Sequence, residues 1–189
     1  MNKKVFAVVL VVGILLVTGL LIVLSYNGAV SKEQTVNSNL SQIKNRYVTK
    51  LDIMAPLFQQ EALYLDYEAS LLTNITELRT RWMNELNTSA STAQLANTST
   101  HLDQNLTQIV LTWENYPNLV ANQVVQQVMG EIVDLNEQLS YSRAQYNGAV
   151  RDYNSFIKSF PNNVFVGSFC FSEKSYWGTE LPDGSALNL

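Results

Sequence analysis

The stretch from Ala121 to Phe160, ANQVVQQVMGEIVDLNEQLSYSRAQYNGAVRDYNSFIKSF, decides the fold. Mostly apolar residues return along it in alternating steps of four and three. The members of this seam are Ala121, Val125, Val128, Ile132, Leu135, Leu139, Ser142, Tyr146, Ala149, Tyr153, Phe156 and Phe160. Such a heptad seam predicts one helix of about forty residues with one buried face. Pro161 ends the helix because proline cannot continue its hydrogen-bond ladder.

Three further helical segments precede this seam. Their predicted apolar stripes are Val36, Leu40, Ile43, Tyr47, Leu51 and Met54; then Leu57, Tyr64, Leu71, Ile75, Leu78 and Trp82; then Leu102, Leu106, Ile109 and Trp113. Pro56 marks a kink or the boundary between the first two segments, and the second runs to about Leu86. Wide apolar stripes on long helices with short connections predict an all-α fold, an antiparallel bundle of the four-helix type.

Two features of the connections are also predicted. The segment from Asn87 to Thr100, NTSASTAQLANTST, is small, polar and nearly uncharged, which indicates a loop that can be helical at its ends, with Ser99 or Thr100 capping the next helix. Arg79, Arg81 and Trp82 form a basic-aromatic cluster. It either contacts lipid headgroups or a partner or, as we favour, is a solvated face with the tryptophan in the core.

The N-terminal segment from Val5 to Leu24, VFAVVLVVGILLVTGLLIVL, has twenty residues and no charge. At about 1.5 Å per residue it spans the roughly 30 Å hydrocarbon core of a bilayer, so we expect a retained single-pass transmembrane helix. A cleaved signal peptide is the alternative, but its apolar stretch is shorter and ends in a small-residue cleavage site. The predicted organisation is therefore a short flank (1–4), an anchor (5–24), a helical bundle (25–171) and a flexible tail (172–189).

The flanking charges bear on the side of the membrane. Lys3 and Lys4 favour a cytoplasmic N-terminus and hence an extracytoplasmic bundle. Basic residues after the anchor weaken that asymmetry, so a cytoplasmic bundle stays open; they are Lys32, Lys44, Arg46 and Lys50.

Composition argues against several classes of function. The net charge is -4 and no long basic run occurs, so nucleic acid is not an expected partner. The single histidine, His101, is expected to be exposed near a helix start, and Cys170 to be a small packed residue between two phenylalanines. One imidazole cannot complete the Glu-x-x-His pairs of a di-metal bundle, and no nucleophile–base pattern is present. We therefore expect no enzyme, no cofactor and no metal site.

The candidate interaction residues are three tyrosine–asparagine pairs and two aromatic residues of the tail. The pentapeptide YNGAV occurs twice, at Tyr26 and at Tyr146. The full set is Tyr26, Asn27, Tyr146, Asn147, Tyr153, Asn154, Tyr176 and Trp177. The pairs either recognise a partner or, as we favour, form structural layers in which an asparagine satisfies a seam hydroxyl. Tyr176 and Trp177 are not required by any helical pattern, which makes them candidates for contact with a partner.

These motifs resemble the LemA family. The resemblance lies in ENYPNLVAN (Glu114 to Asn122) and in YNGAVRDYNSFIKSFPNNVFVGSFCF (Tyr146 to Phe171), and it extends to the Tyr-Asn pair after the anchor. The sequence departs from the family pattern near Pro56, where the proline stands one position later. The resemblance implies a bacterial membrane protein with a helical-bundle domain and no established catalytic activity. Relatives are often encoded near membrane proteases.

We therefore expect a membrane-anchored structural, scaffold or protein-interaction module of the bacterial envelope. Its partners would be the lipid bilayer and other membrane or envelope proteins, membrane proteases among them. Homo-oligomers are left open. The alternative is a ligand-sensing bundle that acts through a separate membrane partner, because residues 1–4 are too short to form an output domain.

Overall fold

The computed structural model describes residues 2–61, 69–88, 90–113 and 123–178, and all regular secondary structure in these ranges is helical. This confirms the all-α prediction. The elements are α1 (Lys3–Glu61), α2 (Ala69–Asn87), α3 (Thr92–Trp113), α4 (Gln123–Lys158), the short α5 (Asn162–Phe165) and a 3-10 turn (Val166–Phe169).

Helix α1 begins in the apolar N-terminal segment and continues without a break across Leu24 and Ser25. It is long and apolar enough to cross a membrane, and its side chains from Val5 to Val17 are all exposed. Of the two alternatives predicted for Pro56, a kink or a helix boundary, the boundary is wrong, since α1 runs on to Glu61. A proline removes one backbone donor, and here the helix persists on either side of it.

Helix α3 begins at Thr92, so the prediction of a loop from Asn87 to Thr100 is wrong over most of its length. The cap is Ser91 and not Ser99 or Thr100. The Ser91 hydroxyl accepts from the backbone N–H of Gln94 at 3.3 Å, and the Gln94 side chain accepts from the backbone N–H of Ser91 at 2.9 Å. This reciprocal capping box satisfies two donors that a helix start otherwise leaves unpaired.

Ser91→Ala is expected to lower the free energy of unfolding by about 1 kcal/mol, because the N–H of Gln94 loses its acceptor. Chemical denaturation followed by circular dichroism measures the change. Thr80→Ala is the control, since its exposed hydroxyl bonds only to a carbonyl within its own helix. An equal loss in both variants would contradict the assignment of Ser91 as the cap.

The seam of α4 is confirmed from Val125 to Tyr146, where the predicted members are buried; they are Val125, Val128, Ile132, Leu135, Leu139, Ser142 and Tyr146. Beyond Tyr146 the prediction is confirmed only at Tyr153, and it is wrong at Ala149, Phe156 and Phe160. Val150, Tyr153 and Ile157 are buried, whereas Ala149 and Phe156 are only partly buried and Phe160 is 82% exposed. A straight helix drifts about 20° per heptad against a strict seven-residue repeat, so the buried face moves to later residues.

The described chain forms two compact units. One consists of Met1–Ser38 with Asn147–Lys174, and the other consists of Asn39–Tyr146 with Ser175–Leu189. We call the first the span unit, because it contains the apolar start of α1, and the second the bundle unit.

The bundle unit is an up-down-up-down four-helix bundle, as predicted. Helix α1 runs antiparallel to α2, because Tyr47 contacts Trp82 while Met54 packs with Ile75. It also runs antiparallel to α4, because the side chain of Asn39 donates to the Gln145 carbonyl and Arg46 bonds Gln138. One core cluster joins all four helices; its members are Met54, Ile75, Leu106, Val125, Val128 and Ile132.

Candidate functional site

A polar cluster lies inside the bundle unit, and we call it the Asp103 cluster. It consists of Tyr47 and Lys50 on α1, Asp103 on α3, and Asn136 and Arg143 on α4. Tyr47 belongs to the predicted apolar stripe of α1, and Lys50 stands three residues later on the same helix face. By its position in the sequence Lys50 is only a basic residue after the anchor, yet in the structure only 2% of its side chain is exposed.

The carboxylate of Asp103 is the centre of this cluster. Its Oδ1 accepts from Lys50 Nζ at 2.7 Å, and its Oδ2 accepts from the Tyr47 hydroxyl and from Arg143 Nη2, each at 2.8 Å. Lys50 Nζ also donates to Asn136 Oδ1 at 2.7 Å, and Arg143 Nη2 donates to the Tyr47 hydroxyl. The cluster therefore links three helices of the bundle through charged hydrogen bonds, which are the stronger class.

The pKa values of Tyr47, Asp103 and Arg143 are all shifted further from neutral pH. Burial, followed by the charge of Asp103, raises the pKa of the Tyr47 phenol well above its ordinary value. Burial acts to raise the pKa of Asp103, but Lys50 and the three hydrogen bonds outweigh it and lower that pKa. Burial acts to lower the pKa of Arg143, yet the facing Tyr47 and Asp103 raise it. A group that transfers protons efficiently needs a pKa near the working pH. The shifted groups of the cluster are therefore suited to keeping a fixed charge state and not to acid–base catalysis.

A cavity of about 370 Å³ opens between α3 and α4 beside the cluster. Lys50, Asp103 and Arg143 form its polar end. Its remaining wall is mainly apolar and is made of Leu106, Val110, Met129, Ile132, Val133 and Leu139. The volume falls in the range of small-molecule pockets.

The charges at the polar end of the cavity do not balance. Lys50 and Arg143 contribute two positive charges against the single negative charge of Asp103. Within the described residues, the buried Nε of Arg143 has no hydrogen-bond partner. The one excess positive charge at this partly buried end of the cavity favours binding of an anion.

The predicted tyrosine–asparagine residues of the span unit do not form one layer. The Tyr26 ring meets Phe169 and Phe171 edge-on at 5.2 and 5.8 Å, and Asn27 is exposed. The Tyr153 ring is buried and lies under Lys174 Nζ, and burial together with Glu33 raises its pKa. Its hydroxyl has no hydrogen-bond partner in the part of the chain that the structure describes.

Asn154 binds the chain that follows the 3-10 turn. Its side-chain amide donates to the carbonyl of Lys174 and accepts from the N–H of Lys174, both at 2.9 Å. This two-bond pairing mimics a backbone ladder and holds the start of the predicted tail against α4. Asn154 therefore does not satisfy a seam hydroxyl, which the favoured interpretation of the sequence required of it.

The other pair belongs to the bundle unit. The Tyr146 hydroxyl donates to the carbonyl of Ser175 at 2.9 Å, its ring packs edge-on against Trp177 at 6.3 Å, and burial raises its pKa. Asn147 is partly buried. Trp177 is 6% exposed, so it is packed against α4 and is not free for a partner, whereas Tyr176 is 36% exposed. Residues 179–189 of the predicted tail lie outside the described residues.

The remaining single residues are placed as follows. Trp82 is fully buried and Arg79 pairs with Asp52, so the interpretation of this cluster as a solvated face is confirmed. Cys170 is exposed, and the prediction that it is packed is wrong, because it ends the 3-10 turn in the left-handed conformation, at φ 61°. His101 is exposed as predicted, but it lies about two and a half turns inside α3. In the described residues no group of His, Cys, Asp or Glu could hold a metal ion.

A four-helix bundle whose first helix also carries a membrane-length apolar segment defines the class of protein. The sequence model of the LemA family matches residues 39–186, which is most of the chain. The chain therefore belongs to the LemA family, as its tyrosine–asparagine motifs indicate. No curated protein matches it.

Proposed function

We propose that this chain is a single-pass membrane protein whose bundle serves as a structural or protein-interaction module of the bacterial envelope. The observation that supports it is that one helix, α1, carries both a membrane-length apolar segment and core residues of the bundle, Tyr47 and Met54 among them. Anchor and bundle core thus share one hydrogen-bonded element. Membership of the LemA family agrees with this proposal.

The proposed module is not catalytic. The buried Tyr47 and Lys50 both donate to Asp103, and the pKa shifts of Tyr47 and Asp103 keep the phenol neutral and the carboxylate ionised at neutral pH. Its partners are the lipid bilayer and other membrane or envelope proteins, with membrane proteases as candidates. Lys3 and Lys4 favour a bundle on the extracytoplasmic side.

Labelling of intact cells tests the membrane part of the proposal. In a Cys170→Ser background, a cysteine replaces Tyr141, whose side chain is 64% exposed on α4. A membrane-impermeant maleimide is expected to label it in intact cells, and the protein should stay with the membrane after alkaline extraction. Labelling only after lysis would place the bundle in the cytoplasm. Release of the protein by alkali would contradict the proposed transmembrane anchor.

Photo-crosslinking in the same cells tests the interaction part. A photoreactive phenylalanine derivative replaces Tyr141 on α4 or, as a second face, Thr80 on α2, which is also exposed. A discrete adduct from one face and not from the other supports an interaction surface. Absence of any adduct at both positions and at Arg151 would argue against an interaction module.

The second candidate is a ligand-sensing bundle that acts through a separate membrane partner, and the cavity beside the Asp103 cluster favours it. A polar end with one excess positive charge and an apolar wall fits a small molecule with a carboxylate and a short alkyl chain. Such a ligand would raise the melting temperature, since it binds only the folded state.

We expect octanoate to raise the melting temperature of the wild-type chain and octylammonium to leave it unchanged. Arg143→Gln should abolish the rise, because it removes the cation whose Nε has no partner. Arg81→Gln is the matched control, since Arg81 pairs with Glu85 on α2 away from this cavity. Equal shifts with both amphiphiles would indicate unspecific binding and remove the sensor hypothesis.

A further inference from the structure

An uncharged, apolar segment follows α4 in the span unit. No charged residue occurs from Ser159 to Ser172. Three of its large apolar side chains face outward: Phe160 is 82% exposed, Val164 is 60% exposed and Phe169 is 43% exposed. We call these three residues the apolar ledge. Several large apolar side chains exposed within one short uncharged segment are typical of interaction surfaces.

The ledge lies beside the end of the apolar segment of α1. The Ser25 hydroxyl donates to Asn162 Oδ1 at 2.8 Å, and the Tyr26 ring contacts Phe169 edge-on at 5.2 Å. Ser25 directly follows Leu24, the last residue of the uncharged apolar run. The segment that bears the ledge is therefore fixed at the level where the first helix would leave the membrane.

The burial pattern of α1 shows how far along the apolar run the folded chain extends. Side chains from Val5 to Val17 are exposed, whereas Thr18, Leu21 and Ile22 are partly covered. From Thr18 to Ser25 the helix rises about 10 Å. Amphipathic segments that lie in a membrane interface bury their apolar face about 5–10 Å below the surface. The length of the apolar run that the folded chain partly covers therefore matches this insertion depth.

Charged residues mark where the uncharged surface ends, both on α1 and on the segment that follows α4. On α1 the first charge after the apolar run is Lys32, and the chain beyond α4 has its first charge at Glu173. Four of the flanking charges form ion pairs, Lys158 with Glu173 at 2.7 Å and Lys174 with Glu33 at 2.5 Å, while Lys32 Nζ lies over the Phe156 ring at 5.7 Å. The uncharged surface thus ends at a paired layer that suits the headgroup region, and Tyr26 suits the interface beside it.

We propose that the apolar ledge inserts into the bilayer beside the first helix and forms a second attachment to the same leaflet. The occupant of this surface is lipid, because the ledge is continuous with a membrane-length apolar helix and is bounded by the same layer of charges. This inference rests on the proposed membrane anchor. A second attachment beside the helix would resist tilting of the span unit in the membrane.

Depth-dependent fluorescence quenching tests the proposal on the full chain in vesicles of phosphatidylcholine and phosphatidylglycerol. In a Cys170→Ser background, an environment-sensitive nitrobenzoxadiazole label is attached to a cysteine at Val164. Two references use the same label, one at Leu15 in the apolar run and one at Tyr141, which is exposed on the bundle unit. Spin-labelled lipids carry the quencher near the headgroup or near the end of the acyl chain.

The expected result is loss of fluorescence at Val164, larger with the quencher near the headgroup than with the deep quencher. The Leu15 label should be quenched more by the deep lipid, and the Tyr141 label by neither. Phe160→Asp should reduce the quenching at Val164, and circular dichroism checks that this variant folds, as the 82% exposure of Phe160 leads us to expect.

Three other outcomes would overturn the proposal in distinguishable ways. Quenching at Leu15 without quenching at Val164 would support the membrane anchor but would show that the ledge does not insert into the bilayer. Absence of quenching at both positions would contradict the proposed membrane anchor as well as insertion of the ledge. Blue-shifted emission at Val164 that no lipid quencher reduces would mean that protein, such as a second copy of the chain, covers this surface.

Discussion

Asp103→Ala is expected to lower the free energy of unfolding by about 3 kcal/mol, near the lower end of the values for breaking a buried ion pair. The substitution leaves the ammonium of Lys50, which is 2% exposed, with Asn136 as its remaining acceptor. It also removes the carboxylate that pairs with Arg143, whose remaining acceptor is the Tyr47 hydroxyl. The cost arises mainly from the charge left buried and less from the bond that is lost. Denaturant unfolding followed by circular dichroism measures it.

Asp52→Ala is the matched control for this prediction. Asp52 also accepts from a cation on another helix, Arg79 at 2.9 Å, but both side chains are largely exposed. An exposed pair contributes at most about 1 kcal/mol, so this variant should unfold close to wild type. In the Asp103→Ala background, Lys50→Met should restore part of the lost stability because it removes the stranded charge. Equal losses at Asp52 and Asp103 would contradict the central role of the cluster.

The same residue should make stability depend on pH in acid. The pKa of Asp103 is lower in the folded chain than its ordinary value, since Lys50 and the hydrogen bonds outweigh burial. Its contribution is therefore complete above the unfolded pKa and is lost as the pH falls through the folded pKa, below about pH 4. Asp103→Asn should show a shallower decline of stability in that window than wild type. Parallel declines would show that other carboxylates are responsible.

The sequence predicts the helical stripes well because burial follows the helical period. Ile43, Tyr47, Leu51 and Met54 are buried as predicted, and so is Trp82. The Asp103 cluster could not be predicted in this way. Lys50 is of a residue type that is almost never fully buried without a partner, and its partner stands 53 residues away on another helix. Only the packing of α1 against α3 and α4 brings the cluster together.

The start of α3 was missed for a related reason. Serine, threonine and asparagine compete for backbone hydrogen bonds and are weak helix formers, so NTSASTAQLANTST indicates a loop on local grounds. In the bundle, however, Leu95 and Thr98 are fully buried, and Thr98 donates to Glu85 on α2 at 2.8 Å. Tertiary packing therefore overrides weak propensity, as is common for helices in folded proteins. The Ser91 and Gln94 pair was the available local signal.

Val150→Asp is expected to be the most destabilising of the substitutions considered for the span unit. Val150 is fully buried on α4, and an aspartate there would place an uncompensated carboxylate in the core or force it to stay protonated. The loss should reach several kcal/mol or prevent folding of this part of the chain. Near-ultraviolet circular dichroism and thermal melting of the full chain measure it.

Ala149→Asp is the matched control, because it introduces the same charge one residue earlier on the same helix. The strict heptad repeat places Ala149 in the buried seam, whereas the structure leaves it partly exposed and buries Val150 in its stead. The steps from Ser142 to Tyr146 and from Tyr146 to Val150 are both four residues, which realigns the apolar face with the 3.6-residue helical turn. Which of the two variants loses more stability therefore distinguishes the strict heptad register from the register seen in the structure. A larger loss at Ala149 than at Val150 would mean that the strict seven-residue repeat continues past Tyr146.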